Sequence, residues 1–212
     1  MPCAPRSRAW GIDAMRYKLS KTDVIDPAIA SPEWDKAASV ELVDRWEGYA
    51  PTPKTTVKML RGPEGISVLM HTEERNLRME HTEENGEICE DSCMEFFLKP
   101  NNLMPEYLNF EFNPRGVLHL GLGSGRHDRI FPSVDRADLS IVSVPNDGDW
   151  TLKFYIPERI LTALFGTVSP VVKANFYKCG DLTGNEHYGT WAEVETVKPD
   201  YHQPDFFGFL EL

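Results

Sequence analysis

Apolar and polar residues alternate through most of this chain, most regularly in Tyr107-Leu108-Asn109-Phe110-Glu111-Phe112-Asn113. Successive side chains of a strand point to opposite faces. Leu108, Phe110 and Phe112 therefore face a core, and Tyr107, Asn109, Glu111 and Asn113 share the other face. That second face carries planar polar groups beside an aromatic. Two readings stay open for it: a solvated face of an antiparallel sheet, or a surface suited to a neutral, hydroxyl-rich ligand. Similar patterns predict strands over 55–61, 65–71, 92–99, 106–113, 117–121, 139–144, 150–156, 171–178, 188–194 and 208–212.

Turn residues separate these segments. Arg61-Gly62-Pro63-Glu64-Gly65, Lys99-Pro100-Asn101-Asn102 and Asn113-Pro114-Arg115-Gly116 punctuate the pattern, and Asn146-Asp147-Gly148-Asp149 carries a hairpin signal. One helix is predicted over 157–166, with Pro157 and Glu158 in its first turn and Gly166 at its end. Ile160, Leu161, Leu164 and Phe165 lie on one face of it and plug the end of a core. A further helical turn is expected near 32–37. Residues 75–91 are acidic and aperiodic, and read as a long loop. Many short strands at regular spacing predict an all-β sandwich of antiparallel strands with one or two short helices.

Length and composition narrow the functional classes. A chain of 212 residues fits one domain, here expected over 17–212, preceded by a flexible tail over 1–16. The net charge of −11 opposes nucleic-acid binding, because no basic field offsets phosphate. No apolar run approaches the ~20 residues that span a bilayer. The N-terminal stretch lacks the apolar segment of a signal peptide, so a cytoplasmic setting is the default expectation. Cys3, Cys89, Cys93 and Cys179 do not make a disulfide framework at this length. Cys89 and Cys93 lack a second Cys or His pair at zinc-site spacing, so free thiols are expected.

Candidate chemistry gathers on the polar strand faces. Asp91, Cys93, Glu95 and Phe97 share one face, and pairing with 106–113 would bring Glu95 near Asn109 or Glu111. Such carboxylates can accept hydrogen bonds from sugar hydroxyls, act as a glycosidase pair, hold Ca²⁺, or be ordinary surface acids. Asn175 and Tyr177 share a strand face, and Trp191 follows Gly189 at a strand end. Trp191 is either a core aromatic or a flat ring offered to a sugar. The glycines of Gly121-Leu122-Gly123-Ser124-Gly125 lack the context of a phosphate loop and are read as a turn that aims Arg126 at a site.

In order along the chain stand Ser31-Pro32-Glu33-Trp34-Asp35-Lys36-Ala37, Asp91-Ser92-Cys93-Met94-Glu95-Phe96-Phe97, the 107–116 strand and turn, Trp150 through Pro157, Asn175-Phe176-Tyr177-Lys178, and His202-Gln203-Pro204-Asp205-Phe206-Phe207-Gly208. Together they resemble the family-nine carbohydrate-binding modules, in particular their stand-alone bacterial branch, over roughly 18–212. The resemblance implies an immunoglobulin-like β-sandwich of the DOMON-like group and sugar binding on one concave face. It also implies calcium as a structural ion in some members. It matches Trp191 to one of two stacking rings, Glu95 to the acid, and Arg115 or Arg126 to the arginine. The loop 82–90 lacks the aromatic that would supply the second ring, leaving Trp46 or Tyr49 as substitutes.

The resulting expectation is non-catalytic binding of a mono- or oligosaccharide in carbohydrate catabolism, beside a separate glycoside hydrolase. Trp191 and Tyr177 would stack on the sugar, and Glu95, Asn109, Glu111, Asn175 and Arg126 or Arg115 would bind its hydroxyls. Three alternatives remain. One is a glycoside-acting enzyme using Glu95 and Glu111. Another is a DOMON-type haem domain with Met70 or Met94 and His119 or His127 as axial ligands. The third is an interaction domain whose aromatics are all core.

Overall fold

The computed structural model describes residues 15–212 as two face-to-face sheets. The expectation of a flexible tail falls almost wholly on 1–14, outside the described residues. The first sheet runs β1 (Arg16–Lys18), β14 (Gly208–Glu211), β12 (Val171–Cys179), β7 (Cys93–Lys99), β8 (Tyr107–Phe112) and β9 (Leu118–Gly123), with β13 (Tyr188–Thr190) and β4 (Val43–Asp44) continuing one side of β12. The second runs β10 (Val142–Pro145), β11 (Trp150–Pro157), β6 (Gly65–Thr72), β5 (Thr55–Arg61) and β2 (Ser20–Lys21), with β3 (Val40–Glu41) on β5. Pairing is antiparallel except at two edges, where β1–β14 and β2–β5 are parallel. The sheets are therefore mixed, not purely antiparallel as the turn spacing suggested.

The alternation noted in the sequence builds the core. Phe96, Phe110 and Phe176 are register partners across β12, β7 and β8. Their rings stack at centroid distances of 5.0 and 6.2 Å. Phe154 of the opposite sheet meets Phe112 at 4.7 Å and Phe110 at 5.8 Å. All five rings are fully buried, and each contributes ~1.5–3 kcal/mol of transfer free energy. Helix α1 (Glu158–Phe165) closes one end through Ile160, Leu161 and Phe165 and stops at Gly166, whose φ of 71° suits a residue without a Cβ. The predicted turn at 32–37 is a 3₁₀ turn, Pro32–Lys36, capped by Ser31 Oγ accepting from Glu33 N–H. The Asn146–Asp149 hairpin joins β10 to β11 as expected. No helix among the described residues is long and apolar enough to cross a membrane.

The other face of the first sheet is not solvated. A second apolar layer lies on it, with Phe97, Tyr107, Tyr177 and Cys179 of the sheet packed against Trp46, Ile88, Val194, Tyr201 and Phe207 from loops. The acidic 75–91 loop is pinned to this face by one fully buried carboxylate. Asp91 accepts from Glu80 N–H at 2.9 Å, His81 N–H at 3.0 Å and Asn113 Nδ2 at 2.9 Å. A buried carboxylate must be hydrogen-bonded and paired, and the Arg78 guanidinium, whose Nε donates to Glu90 O at 3.2 Å, adds an ion pair to Asp91 at 3.4 Å.

A second buried polar knot sits beside it. Lys178 is fully buried, and its Nζ donates to Cys179 O at 2.8 Å and His187 Nε2 at 2.9 Å and pairs with Glu74 Oε2 at 2.9 Å. An ammonium only donates, so His187 accepts at Nε2 and carries its proton on Nδ1, which donates to Asn185 O at 2.6 Å. Burial first, and Lys178 second, depress the His187 pKa from 6.5 to about 4. A depressed histidine pKa means the unfolded chain takes up a proton below about 6.5 that the folded chain refuses, so stability falls as the pH drops from there to about 4. The stability advantage of the wild type over His187→Gln is expected to shrink between pH 7 and pH 4.5, read by chemical denaturation at each pH. A constant gap would show that His187 protonates as readily in the fold as out of it.

Candidate functional site

Strand register assembles the site. Tyr177, Glu95, Glu111 and His119 lie in one row across β12, β7, β8 and β9. Asn175, Phe97, Asn109 and Gly121 form the next row, and Cys179 faces Cys93 on the other side. Loops surround the middle of this surface and leave a cavity of about 150 Å³, with Glu95 and Glu111 among its lining residues. Its walls are Arg126, Asp181, Tyr188, Tyr201, His202 and the two cysteines Cys89 and Cys179.

The carboxyl pair is held from both sides. Asn109 Nδ2 donates to Glu111 Oε1 at 2.7 Å, and Asn109 Oδ1 accepts from Arg129. A Cβ at position 121 would collide with Asn109 Oδ1, so Gly121 is what lets this amide lie flat over β9. Cys179 Sγ donates to Glu95 Oε1 at 3.0 Å. Burial, and then the neighbouring Glu111, push the Glu95 pKa well above the carboxylate range. Burial also raises Glu111, against the opposing pull of His119, Asn109 and Arg129. Burial thus disfavours charge on both carboxyls, whose oxygens line the cavity.

Arg126 lines the same cavity and acts on both carboxyls through its charge. Its Nε and Nη2 donate to Asp200 Oδ1 at 3.2 and 2.8 Å. Burial works against its charge, yet Asp200, Glu95 and Glu111 outweigh that and raise its pKa. The aromatic wall is braced from behind. Tyr201 stacks on Tyr177 at 3.9 Å and 11°, and donates from its hydroxyl to Lys178 O at 3.0 Å. Trp46 and Tyr49 both meet Tyr188 edge-on, at 6.5 and 4.9 Å.

Three of the sequence candidates line the cavity: Glu95, Glu111 and Arg126. The others do other work. Trp191 is 1% exposed and lies between the sheets, against Phe176 at 5.5 Å and over Gly208. It has no open face for a ligand, so the stacking role assigned to it is corrected to a core role. Tyr177 is fully buried behind Tyr201 and donates to Tyr201 O at 3.1 Å. Asn175 is spent on Thr190 Oγ1, Ala192 O and Ala192 N–H. Asn109 acts through Glu111. Arg115 lies away from the cavity, donating to Met79 O at 2.6 Å. Trp46 and Tyr49 support the aromatic wall without lining the cavity. Tyr201 and His202 were not anticipated, because they come from an irregular segment with no period to announce a facing; Tyr188 opens the short strand β13, whose three residues give too little alternation to show that its ring reaches the cavity.

The haem alternative fails on facing. Met70 and Met94 are buried between the sheets, whereas His119 is on the opposite face and His127 is exposed. The one grouping of three or more His, Cys, Asp or Glu ligand atoms among the described residues is Cys93, Glu95 and Cys179, a sulfur-rich set unlike the all-oxygen set that calcium takes. Three acids of the 75–91 loop have partners: Asp91 as above, Glu90 on His81, and Glu84 on Arg136 and Leu118 N–H.

The fold is a two-sheet sandwich with a small polar and aromatic cavity on one covered sheet face. A sequence model described as carbohydrate-binding family 9 matches residues 28–212, and the chain belongs to that family. Among solved structures, a protein of Bacteroides uniformis ATCC 8492 with a provisional carbohydrate-binding description shares 24% identity and a TM-score of 0.75, covering 93% of this chain and 98% of that one. A family 9 carbohydrate-binding module of Caldicellulosiruptor kristjanssonii in complex with cellotriose shares 10% identity and a TM-score of 0.64, covering 93% of both chains. The same module in complex with glucose gives 11%, 0.64, and 93% and 95% coverage. At these identities the likeness concerns the fold. No curated protein sequence matches the chain.

Proposed function

We propose that this family 9 domain binds one ring of a neutral saccharide in the cavity between Glu95, Glu111 and Arg126. The observation that carries this is the convergence of two hydrogen-bonding carboxyls, one guanidinium and two tyrosine rings on a single cavity. Sugar hydroxyls need donors and acceptors together, and Arg126 with the two carboxyls offers both. The apolar side of a pyranose needs a ring edge or face, which Tyr188 and Tyr201 supply. At about 150 Å³ the cavity is smaller than the ~300–1,000 Å³ of most ligand pockets. That size suits a monosaccharide or the terminal ring of a chain. The glucose and cellotriose complexes of the structural neighbours make β-glucosides the first ligands to try.

Binding is favoured over hydrolysis by membership of a carbohydrate-binding family.

Isothermal titration with glucose, cellobiose and cellotriose tests the reading. Arg126→Ala is expected to weaken binding ~10–100-fold, the worth of a hydrogen bond to a charged group. Its melting temperature should barely move, because the partly exposed Arg126–Asp200 pair contributes under ~1 kcal/mol. Wild-type protein that ignores every neutral sugar in a broad panel, or an Arg126→Ala variant with unaltered affinity, would sink this site.

A further inference from the structure

We propose that Cys93, Cys179 and Glu95 form a binding site for a thiophilic divalent cation of the zinc class at the floor of the cavity. The site goes beyond sugar binding and does not depend on it. Cys93 and Cys179 are 86 positions apart but are direct register partners on β7 and β12. Glu95 follows Cys93 on the same strand face. The Cys93 Sγ, Cys179 Sγ and one Glu95 carboxylate oxygen all lie within 4.8 Å of one another. Glu95 Oε1 is 3.0 Å from Cys179 Sγ and 3.9 Å from Cys93 Sγ. A tetrahedral ion with Zn–S near 2.3 Å and Zn–O near 2.0–2.2 Å sets its ligand atoms roughly 3.5–3.8 Å apart. The separations of 3.0 and 3.9 Å lie on either side of that value, so small side-chain rotations would bring the three atoms to it.

The donor set selects the metal. Two thiols and one carboxylate suit zinc, cadmium or cobalt and are wrong for calcium or magnesium. All three groups are 3% exposed or less, on strands at the centre of the first sheet, so the ligands are pre-positioned. Glu95 and Cys179 line the cavity while Cys93 lies beneath it, which leaves the fourth coordination position open toward the cavity. Three ligands with one open position is the arrangement of reactive or exchangeable zinc sites, not of closed structural ones. With both thiols and the carboxyl ionised, a divalent ion leaves one net negative charge, and Arg126 lines the same cavity. Without metal the same groups lie within hydrogen-bond contact of each other, both thiols reaching Glu95 Oε1. Metal uptake releases protons.

Titration of the reduced, metal-free full chain with Cd²⁺ and Co²⁺, without sugar, tests the site. The wild type is expected to show an ultraviolet thiolate-to-metal charge-transfer band that saturates at one equivalent, and tetrahedral visible bands with Co²⁺. Zn²⁺ should displace both. Cys3→Ser should keep the band. Cys93→Ser and Cys179→Ser should each weaken binding at least tenfold, with folding checked by circular dichroism. Glu95→Gln keeps both thiols and should weaken the ion without abolishing the band. The wild-type spectra stand alone if a serine variant fails to fold. Absence of a thiolate band in the wild type, or a band that survives Cys93→Ser and Cys179→Ser, overturns the assignment. Sugar affinity of the metal-free chain is measured separately, so failure of either reading leaves the other standing.

Discussion

Trp191→Ala is expected to destabilise the fold by ~3–5 kcal/mol, the range for removing a buried aromatic. Trp191 is 1% exposed, tilts against Phe176 at 5.5 Å, and sits where a Cβ on Gly208 would collide with its ring. The alanine leaves a void between the two sheets that β14 and β12 cannot close without breaking their ladder. The loss appears in the midpoint of urea unfolding. Trp191→Phe should recover most of it, because the indole N–H makes no hydrogen bond among the described residues. Sugar affinity of the folded fraction should stay near the wild-type value, since the ring lies on the far side of the sheet from the cavity. A stable Trp191→Ala protein that has lost its sugar would reverse this and return the ring to the ligand.

Lys178→Met should cost a similar ~3–5 kcal/mol, the penalty for orphaning one partner of a buried ion pair. Glu74, 6% exposed, loses its cation and retains only Ser92 Oγ at 2.8 Å. His187 loses its donor at the same time. The damage has a direction: β12 and the 185–187 loop are joined through this knot, and the loop leads into β13 and the Tyr188 wall. Glu74→Gln in the Lys178→Met background removes the unpaired charge and should recover part of the loss, although the amide still lacks its full set of partners. A Lys178→Met protein as stable as the wild type would show that water reaches Glu74.

Much of the architecture was legible because it is written locally. Alternation along 55–61, 107–112, 150–157 and 171–179 placed the strands within a residue or two. Pro157 and Gly166 bounded the helix, and Asn146–Asp149 the hairpin. Strands β1 to β4 were not seen, since two or three residues give no period to read. The candidate site was legible only in part. Glu95 and Glu111 were found because their strands are regular and their facing follows from parity. Trp191 was misplaced because it follows β13 in an irregular stretch, where parity gives no facing.

The sequence by itself determined a β-sandwich, its aromatic core and a row of acids and amides on the opposite face of one sheet. A strand's period of two depends only on its own residues. The tertiary structure decided what covers that row. Register set Glu95 beside Glu111 and Cys93 beside Cys179, and the 75–91 and 194–207 segments, tied down by Asp91 and Tyr201, turned most of that face into a second core and left one cavity. Cross-strand register and loop packing arise from contacts between segments far apart in the chain, and their energies are shared among partners that no local pattern contains.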